Sequence, residues 1–230
     1  IYAFDTFEGM TKPIDIDVDL RFNKQKAYDV NTVGAINVLI ACSEYNRKLV
    51  HISTGCIFDG NDALSTEGSI PQPAVWYTKT KQWADSFITS YGYENYLILR
   101  PRHMISSIKH PTNMITKFAS MDTLHCHKET NSITCIEDFS LMINHLLKIG
   151  AKGVYNCSNT GPVSPYDIAS MVKKHIKPDL NIVEIPYSEM SNRISEKRVN
   201  VILSLEKLKL TGFTPRSATE ALEWCLQNYR

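Results

Sequence analysis

Short apolar runs alternate along the chain with longer segments in which apolar residues recur at helical spacing. Each short run is bounded by polar residues, which predicts a buried strand. The predicted strands span 48–53, 95–100, 131–136, 153–157 and 181–185. The predicted helices include about 23–45, 74–91 and 137–149. Because helices and strands alternate, the pattern predicts an α/β fold with a parallel sheet.

Local signals mark where several helices begin or end. Gly150 ends the helix predicted at 137–149. Ser164-Pro165 is a cap followed by proline at the first helical position, and Ser217-Ala-Thr-Glu220 is a capping box that opens one of two C-terminal helices. We expect the first predicted helix to pack through one face, formed by Val30, Val33, Ile36, Asn37 and Ile40.

Composition and charge narrow the class of protein. The chain has no repeats or long linkers, so we expect any second domain to be a small lobe woven from insertions. The 25 basic and 24 acidic residues are interspersed, which argues against nucleic-acid binding. No apolar run approaches the ~20 residues of a membrane span, and no secretory signal is visible, so we expect a cytoplasmic protein without membrane contact.

The six cysteines indicate thiols rather than disulfides or metal ligands. They form no C-x-x-C pair, and most lie in segments that look like core. The string His125-Cys126-His127 places three ligand types side by side, which is not the spacing that closes a tetrahedral site. We therefore predict reduced cysteines and no metal.

Tyr77 and Lys81 form a pair whose side chains suit proton transfer. They lie four residues apart in a predicted helix, so a phenol and an ammonium project from one face. A phenol ordinarily titrates near pH ~10, and an adjacent cation stabilises the phenolate, which favours proton transfer near neutrality. Alone, the pair is more often an ordinary exposed helix pair.

The surrounding sequence makes the pair more specific. The preceding strand ends at Ser53-Thr54, which places a hydroxyl at the carboxyl end of a strand, where open α/β sheets bind ligands. The strand after the helix ends in Leu99-Arg100-Pro101. This order favours a catalytic site in which Thr54 binds a carbonyl, Tyr77 donates a proton and Lys81 tunes the phenol.

The same motifs resemble the extended short-chain dehydrogenases/reductases, and among them the dTDP-4-dehydrorhamnose reductases and the plant-type nucleotide-rhamnose 3,5-epimerase/4-reductases. The resemblance covers nearly the whole chain. Its motifs are 53–58, 77–81, 99–100, 111–117, 153–156, 163–164 and 198–208. Val199 and Ser204 depart from the last of these patterns.

The resemblance implies a Rossmann-type doubly wound parallel sheet with a small interwoven substrate lobe, and NADP or NAD as cofactor. The Rossmann portion would span 1–108, with about 131–157 returning to it, and the lobe would occupy most of 109–230. Residues 1–4 would correspond to the family's fourth strand, so a glycine-rich loop and three earlier strands would be missing from this sequence.

The reaction implied is reduction of the 4-keto group of a nucleotide-linked 6-deoxyhexose. The catalytic trio would be Thr54, Tyr77 and Lys81, with Lys81 also contacting the nicotinamide ribose. The implied cofactor contacts are Ala3, Phe4, Ser53, Tyr77, Lys81, Arg100 and Pro101. The implied substrate contacts are Thr54, Cys56, Tyr77, Asn113 and Arg198.

Cys56 raises the prospect of a second activity. Its motif resembles sugar-nucleotide epimerases in which a cysteine moves a proton beside the sugar ring. Epimerisation at carbons that flank a ketone needs a base on one face and an acid on the other. His110 and Lys117 are candidates for the second group, and Lys109 is a weaker one. The alternative is that these residues only pack or face solvent.

Three questions stay open at this point. A regulatory subunit of methionine adenosyltransferase resembles the same reductases, so a non-catalytic binding module is the rival to an enzyme. The choice between NADH and NADPH depends on residues after the second strand of the fold, which this sequence lacks. Homodimers are common in the family, so a homodimer is compatible with the resemblance.

Overall fold

The computed structural model describes residues 24–58, 60, 64–192 and 199–230. The predicted first strand at 1–4, with its candidate contacts Ala3 and Phe4, and the candidate substrate contact Arg198 lie outside the described residues. Within the described part, no helix is both long and apolar enough to cross a membrane.

Seven strands are described. They are β1 (Leu49–Ile52), β2 (Tyr96–Arg100), β3 (Met104–Ile105), β4 (Thr123–Cys126), β5 (Thr134–Cys135), β6 (Gly153–Asn156) and β7 (Asn181–Glu184). The described helices are α1 (Ala35–Glu44), α2 (Trp76–Ser90), α3 (Met114–Ala119), α4 (Ile136–Lys148), α5 (Pro165–His175), α6 (Tyr187–Asn192), α7 (Glu206–Lys209) and α8 (Ala218–Gln227).

The central sheet is parallel and has the order β1-β2-β6. Successive residues of a strand point to opposite faces, so each face has its own core. Leu49 and Ile98 pack with residues of α1 and α2, whereas Val50 and Leu99 pack on the other face with α4. Helices therefore cover both faces, and the predicted Rossmann-type α/β class is confirmed.

Two smaller sheets, each of two strands, accompany the central sheet in the described residues. β4 pairs with β7, and β3 pairs with β5, both in parallel. Strand β5 covers only Thr134–Cys135 of the strand predicted at 131–136, so the predicted start of that strand was wrong. The reason is that backbone partners there come from elsewhere: Asn131 pairs with Val163, and the Ser132 N–H donates to the Val201 carbonyl at 3.0 Å.

The face predicted for the first helix was also wrong. Val30 is 42% exposed and Asn37 is exposed. The buried positions of the segment are instead Asn31, Thr32, Ala35, Leu39 and Cys42. A π-helical turn at Asp29–Gly34 precedes α1, and its wider turn shifts the face away from a regular helical register.

Polar contacts select this face. The Asn31 side chain donates to Thr80 Oγ1 at 3.2 Å, and Thr32 Oγ1 donates to the Thr80 carbonyl at 2.8 Å. Both contacts tie the segment to α2. A hydrophobic pattern could not indicate them, because the residues that dock the turn are polar.

The predicted helix ends were confirmed where capping chemistry sets them. Ser164 Oγ accepts from the Asp167 N–H at 3.0 Å, while Asp167 accepts from the Ser164 N–H at 2.9 Å. Ser217 and Glu220 form the same reciprocal pair at α8. Gly150 follows α4 with a φ of +68°, the left-handed conformation that glycine adopts at helix ends.

Candidate active site

Thr54 lies where the sequence predicted, just beyond the carboxyl end of β1. It caps a short 3₁₀ turn at Gly55–Ile57, and its hydroxyl oxygen accepts from the Cys56 N–H at 3.1 Å. This contact uses the oxygen as an acceptor, so the hydroxyl hydrogen is still able to donate to a carbonyl. The Gly55 N–H donates to the Pro101 carbonyl at 2.8 Å, which joins the ends of β1 and β2.

Helix α2 brings Lys81 to the same end of β1. Lys81 is only 2% exposed, and its Nζ donates to the Ile52 carbonyl at 2.9 Å, two residues before Thr54. Tyr77 lies one turn earlier on the same face and is half-buried. The structure thus places Thr54 and Lys81 at one strand end, with Tyr77 on the adjacent turn.

A buried group of charges, which sequence reasoning missed, continues the row that Tyr77 and Lys81 form along α2. Asp85 lies one further turn along α2 and accepts from Arg100 Nε at 3.0 Å. His51, in β1, approaches it with an Nε2–Oδ1 distance of 3.6 Å. The available signal was spacing, since Tyr77, Lys81 and Asp85 recur every fourth residue.

Burial dominates the electrostatics of this group. It raises the pKa of Asp85, and the Arg100 cation offsets the rise only in part. Burial, followed by the cations of Lys81 and Arg100, lowers the pKa of His51 to about 3. With its pKa this low, His51 is neutral at physiological pH.

Arg100 and Ser53, both proposed as cofactor contacts, lie in the interior. The Arg100 guanidinium pairs with Asp85, donates to the Glu67 carbonyl at 3.3 Å and lies over the Phe58 ring. Ser53 is fully buried, and its N–H donates to the Leu99 carbonyl at 2.7 Å. Their roles toward a cofactor stay predictions, whereas their contacts within the protein hold the sheet edge together.

Cys56 differs from the other cysteines. It is half-buried, whereas the remaining five are buried. Its Sγ accepts a hydrogen bond from Nη1 of Arg102 at 2.9 Å. Arg102 is another residue that the sequence did not single out. No local pattern marks it, because its partners come from distant parts of the chain.

The remaining candidates surround the start of α3. His110 is exposed, and its Nδ1 lies 2.7 Å from Thr112 Oγ1. Asn113 is buried as the helix cap, and its amide donates to the carbonyls of Ser106 at 2.7 Å and Ile108 at 2.9 Å. Lys117 is half-buried one turn later. The amide hydrogens of Asn113 are thus engaged with its own loop, and the roles of all three toward substrate stay predictions.

A cavity of about 340 Å³ opens beside the buried charges. Its lining includes Glu67, Gln82, Asp85 and Arg100, but none of the catalytic trio. We therefore place the candidate active site at the ends of β1 and β2 rather than in this cavity.

A parallel sheet with a hydroxyl at the end of one strand, followed by a helix that bears Tyr-x-x-x-Lys, defines the class as extended short-chain dehydrogenase/reductase. Comparison with known families agrees with this class. Residues 20–230 match the model of the RmlD substrate binding domain, and the chain belongs to that family.

Relatives carry names from rhamnose biosynthesis. The chain is 29% identical over 196 residues to a bifunctional dTDP-4-dehydrorhamnose 3,5-epimerase/dTDP-4-dehydrorhamnose reductase of Arabidopsis thaliana, covering 81% of this chain and 64% of the relative. It is 26% identical over 196 residues to a trifunctional UDP-glucose 4,6-dehydratase/UDP-4-keto-6-deoxy-D-glucose 3,5-epimerase/UDP-4-keto-L-rhamnose-reductase of the same plant, covering 81% of this chain and 29% of the relative. The chain thus spans less than two thirds of either plant protein.

A solved structure shows the same fold. The dTDP-4-dehydrorhamnose reductase of Bacillus anthracis, in complex with NADP, superposes with a TM-score of 0.79 at 24% identity. The match covers 90% of this chain and 74% of that one. It supports the Rossmann-type architecture that the sequence predicted.

Proposed function

We propose that this chain forms the catalytic and substrate-binding part of an NAD(P)H-dependent reductase that acts on the 4-keto group of a nucleotide-linked 6-deoxyhexose. One observation carries the proposal: Lys81 Nζ donates to the Ile52 carbonyl at the carboxyl end of β1, two residues before Thr54, and Tyr77 lies one turn earlier than Lys81 on α2. Membership of the family and the names of the relatives support the same reading over a regulatory subunit.

The residues at this edge fit the reactive end of a nicotinamide nucleotide. Tyr77 is half-buried beside a buried ammonium, and the Thr54 hydroxyl retains its hydrogen for a ligand. When bound, the cofactor, NADP or NAD, supplies the hydride. Thr54 would donate a hydrogen bond to the substrate carbonyl, Tyr77 would donate the proton to the same oxygen, and Lys81 would stabilise the resulting phenolate.

Cys56 favours a second activity, 3,5-epimerisation of the same sugar. It is the accessible thiol of the chain and lies two residues from Thr54, so its sulfur is close to where the ketone would bind. The name of the plant bifunctional relative includes this activity. His110 and Lys117 are the proposed proton donors for the opposite face of the ring.

The organisation that we propose follows the packing. Residues 1–108, with about 131–157, would form the Rossmann portion, and most of 109–230 would form the substrate lobe. In support, α4 packs against β2 and β6, whereas β4 belongs to a separate core with α5 and α8. A cytoplasmic location and a homodimer complete the proposal.

The test is to incubate the full chain with NADPH and UDP- or dTDP-4-keto-6-deoxyglucose, with and without a separate 3,5-epimerase. Nicotinamide absorbance and product configuration are followed. Formation of a rhamnose nucleotide without added epimerase would support both activities, and oxidation only with epimerase would leave a reductase. No oxidation in either case would contradict the proposed function.

Substitutions in α2 sharpen this test. Tyr77→Phe and Lys81→Met should each lower kcat by at least about a hundredfold, because each removes a group that acts in proton transfer. Lys79→Met is the matched control, since Lys79 is exposed on the same helix and should be dispensable. Wild-type turnover in both Tyr77→Phe and Lys81→Met would contradict the assignment.

A further inference from the structure

Arg102 has an unusual environment for a cation. It follows β2 by two residues and is only 2% exposed. Its Nε and Nη2 both donate to Oδ1 of Asn131, at 3.2 and 2.6 Å, and Nη2 also donates to the Val199 carbonyl. The remaining contact is from Nη1 to Cys56 Sγ at 2.9 Å.

All of these partners are neutral groups except for the thiol, which can ionise. No carboxylate pairs with Arg102 in the part of the chain that the structure describes. A buried cation without an anion is unfavourable, so its surroundings favour negative charge on any group that it contacts. Hydrogen bonds from a guanidinium to an ionised partner are also the stronger kind.

The position of Cys56 suits this contact. Its backbone N–H is held by Thr54 Oγ1, and its side chain meets Arg102 from the 3₁₀ turn. The other thiols have surroundings of a different kind. Burial raises the pKa of Cys126 to about 11, and it raises the pKa of Cys157 as well. Within the described chain, Cys56 thus combines access to solvent with a cationic donor.

We infer that Arg102 is a positioning residue that holds the Cys56 sulfur beside the substrate site, where its guanidinium donates a charge-assisted hydrogen bond to the sulfur when the thiol gives up its proton. The inference rests on the proposed function for its substrate. The thiolate would take a proton from a carbon that flanks the ketone: the C–H bond breaks, an S–H bond forms, and the electron pair moves onto the ketone oxygen as an enolate. A second acid returns a proton to the opposite face, so no oxidant or reductant is required.

Asn131 connects the pair formed by Arg102 and Cys56 to residues 200 and 201. Its Oδ1 accepts from Arg102 and from the Val201 N–H at 2.9 Å, and its amide donates to Asn200 Oδ1 at 2.7 Å. Hydrogen bonds therefore hold the guanidinium between the end of β2 and residues 199–201. These hydrogen bonds fix the direction in which Nη1 of Arg102 faces the Cys56 sulfur.

The test measures the rate at which iodoacetamide alkylates the native full chain as a function of pH, because the thiolate is the reacting form. Cys56→Ser identifies the signal, since the other thiols are buried. Arg102→Gln should slow alkylation at neutral pH by at least about tenfold, because it removes the cation that stabilises the reacting thiolate. Arg102→Lys, which keeps the charge, should fall between the two.

Asn131→Asp provides a second variant in case Arg102→Gln does not fold. It gives the guanidinium a carboxylate partner, so the pull on the sulfur weakens and alkylation should again be slower. Arg216→Gln is the matched control, because Arg216 pairs with Asp138 and its Nη2 donates to the sulfur of the buried Cys135, at 3.9 Å, rather than to that of Cys56. Its profile should match that of the wild type.

Unchanged profiles for folded Arg102 and Asn131 variants would overturn the inference, even if their thermal stability fell, since a purely structural role would affect only the latter. Alkylation requires neither sugar nucleotide nor cofactor. A chain that shows the expected profiles but no turnover would therefore contradict the proposed function and leave the link between Arg102 and Cys56 intact.

Discussion

The buried imidazole of His51 makes the free energy of unfolding of the protein depend on pH. It is 3% exposed in β1, and burial together with the cations of Lys81 and Arg100 lowers its pKa to about 3 from an ordinary 6.5. Because the folded value is the lower one, protons bind more tightly to the unfolded chain. The stability that neutral His51 contributes is complete above pH ~6.5 and is lost as the pH falls toward about 3.

The size of the effect follows from the two pKa values. Each pH unit below the unfolded value removes about 1.4 kcal/mol from the free energy of unfolding, so about 2 kcal/mol is lost on going from pH ~8 to pH ~5. Asp85 acts in the opposite direction, since its raised pKa favours the folded state as the pH falls. Comparing the wild type with His51→Gln largely cancels the Asp85 contribution, because both proteins contain that carboxyl.

Urea unfolding followed by tryptophan fluorescence at several pH values between about 8 and 5 measures this difference. The wild type should lose about 2 kcal/mol more than His51→Gln over that range. His125→Gln, a substitution of an exposed histidine in β4, controls for loss of an imidazole as such. If the wild type and His51→Gln lose stability in parallel, the imidazole is not held neutral by its surroundings and the reasoning fails.

Two further predictions concern packing and capping. Gly55→Ala should lower the free energy of unfolding by about 1–3 kcal/mol, since the added Cβ would lie 2.7 Å from Leu203 Cδ1, and Gly68→Ala, with its nearest neighbour at 3.9 Å, should change it little in the same urea titration. Ser164→Ala should cost about 1 kcal/mol by removing the cap of α5, and a cost no larger than that of Ser170→Ala within the same helix would show that the cap contributes nothing.

Much of the fold was predictable from the sequence because its determinants are local. The strands of the central sheet are apolar runs between polar residues, and the ends of α5 and α8 are set by capping boxes. The candidate site was accessible for the same reason. Thr54 follows a recognisable strand, and Tyr77 and Lys81 are related by one helical turn.

The parts that could not be predicted depend on contacts between distant residues. The first helix turns polar residues inward because Asn31 and Thr32 bind the backbone and side chain of Thr80. The strand predicted at 131–136 is shortened because its first residues pair with Val163 and Val201. Hydrophobic periodicity contains no information on such partners, which lie tens of residues away.

The buried polar contacts explain how the candidate catalytic groups keep their geometry. A buried ion pair such as Asp85 with Arg100 generally stabilises a protein no more than apolar packing would, so its presence calls for another reason. Any other rotation of α2 would remove Lys81 from the Ile52 carbonyl and Asp85 from Arg100, which would break two contacts of buried charged groups. The helix is thereby held at one rotation relative to β1, and this rotation fixes the position of Tyr77, which lies one turn before Lys81 on α2.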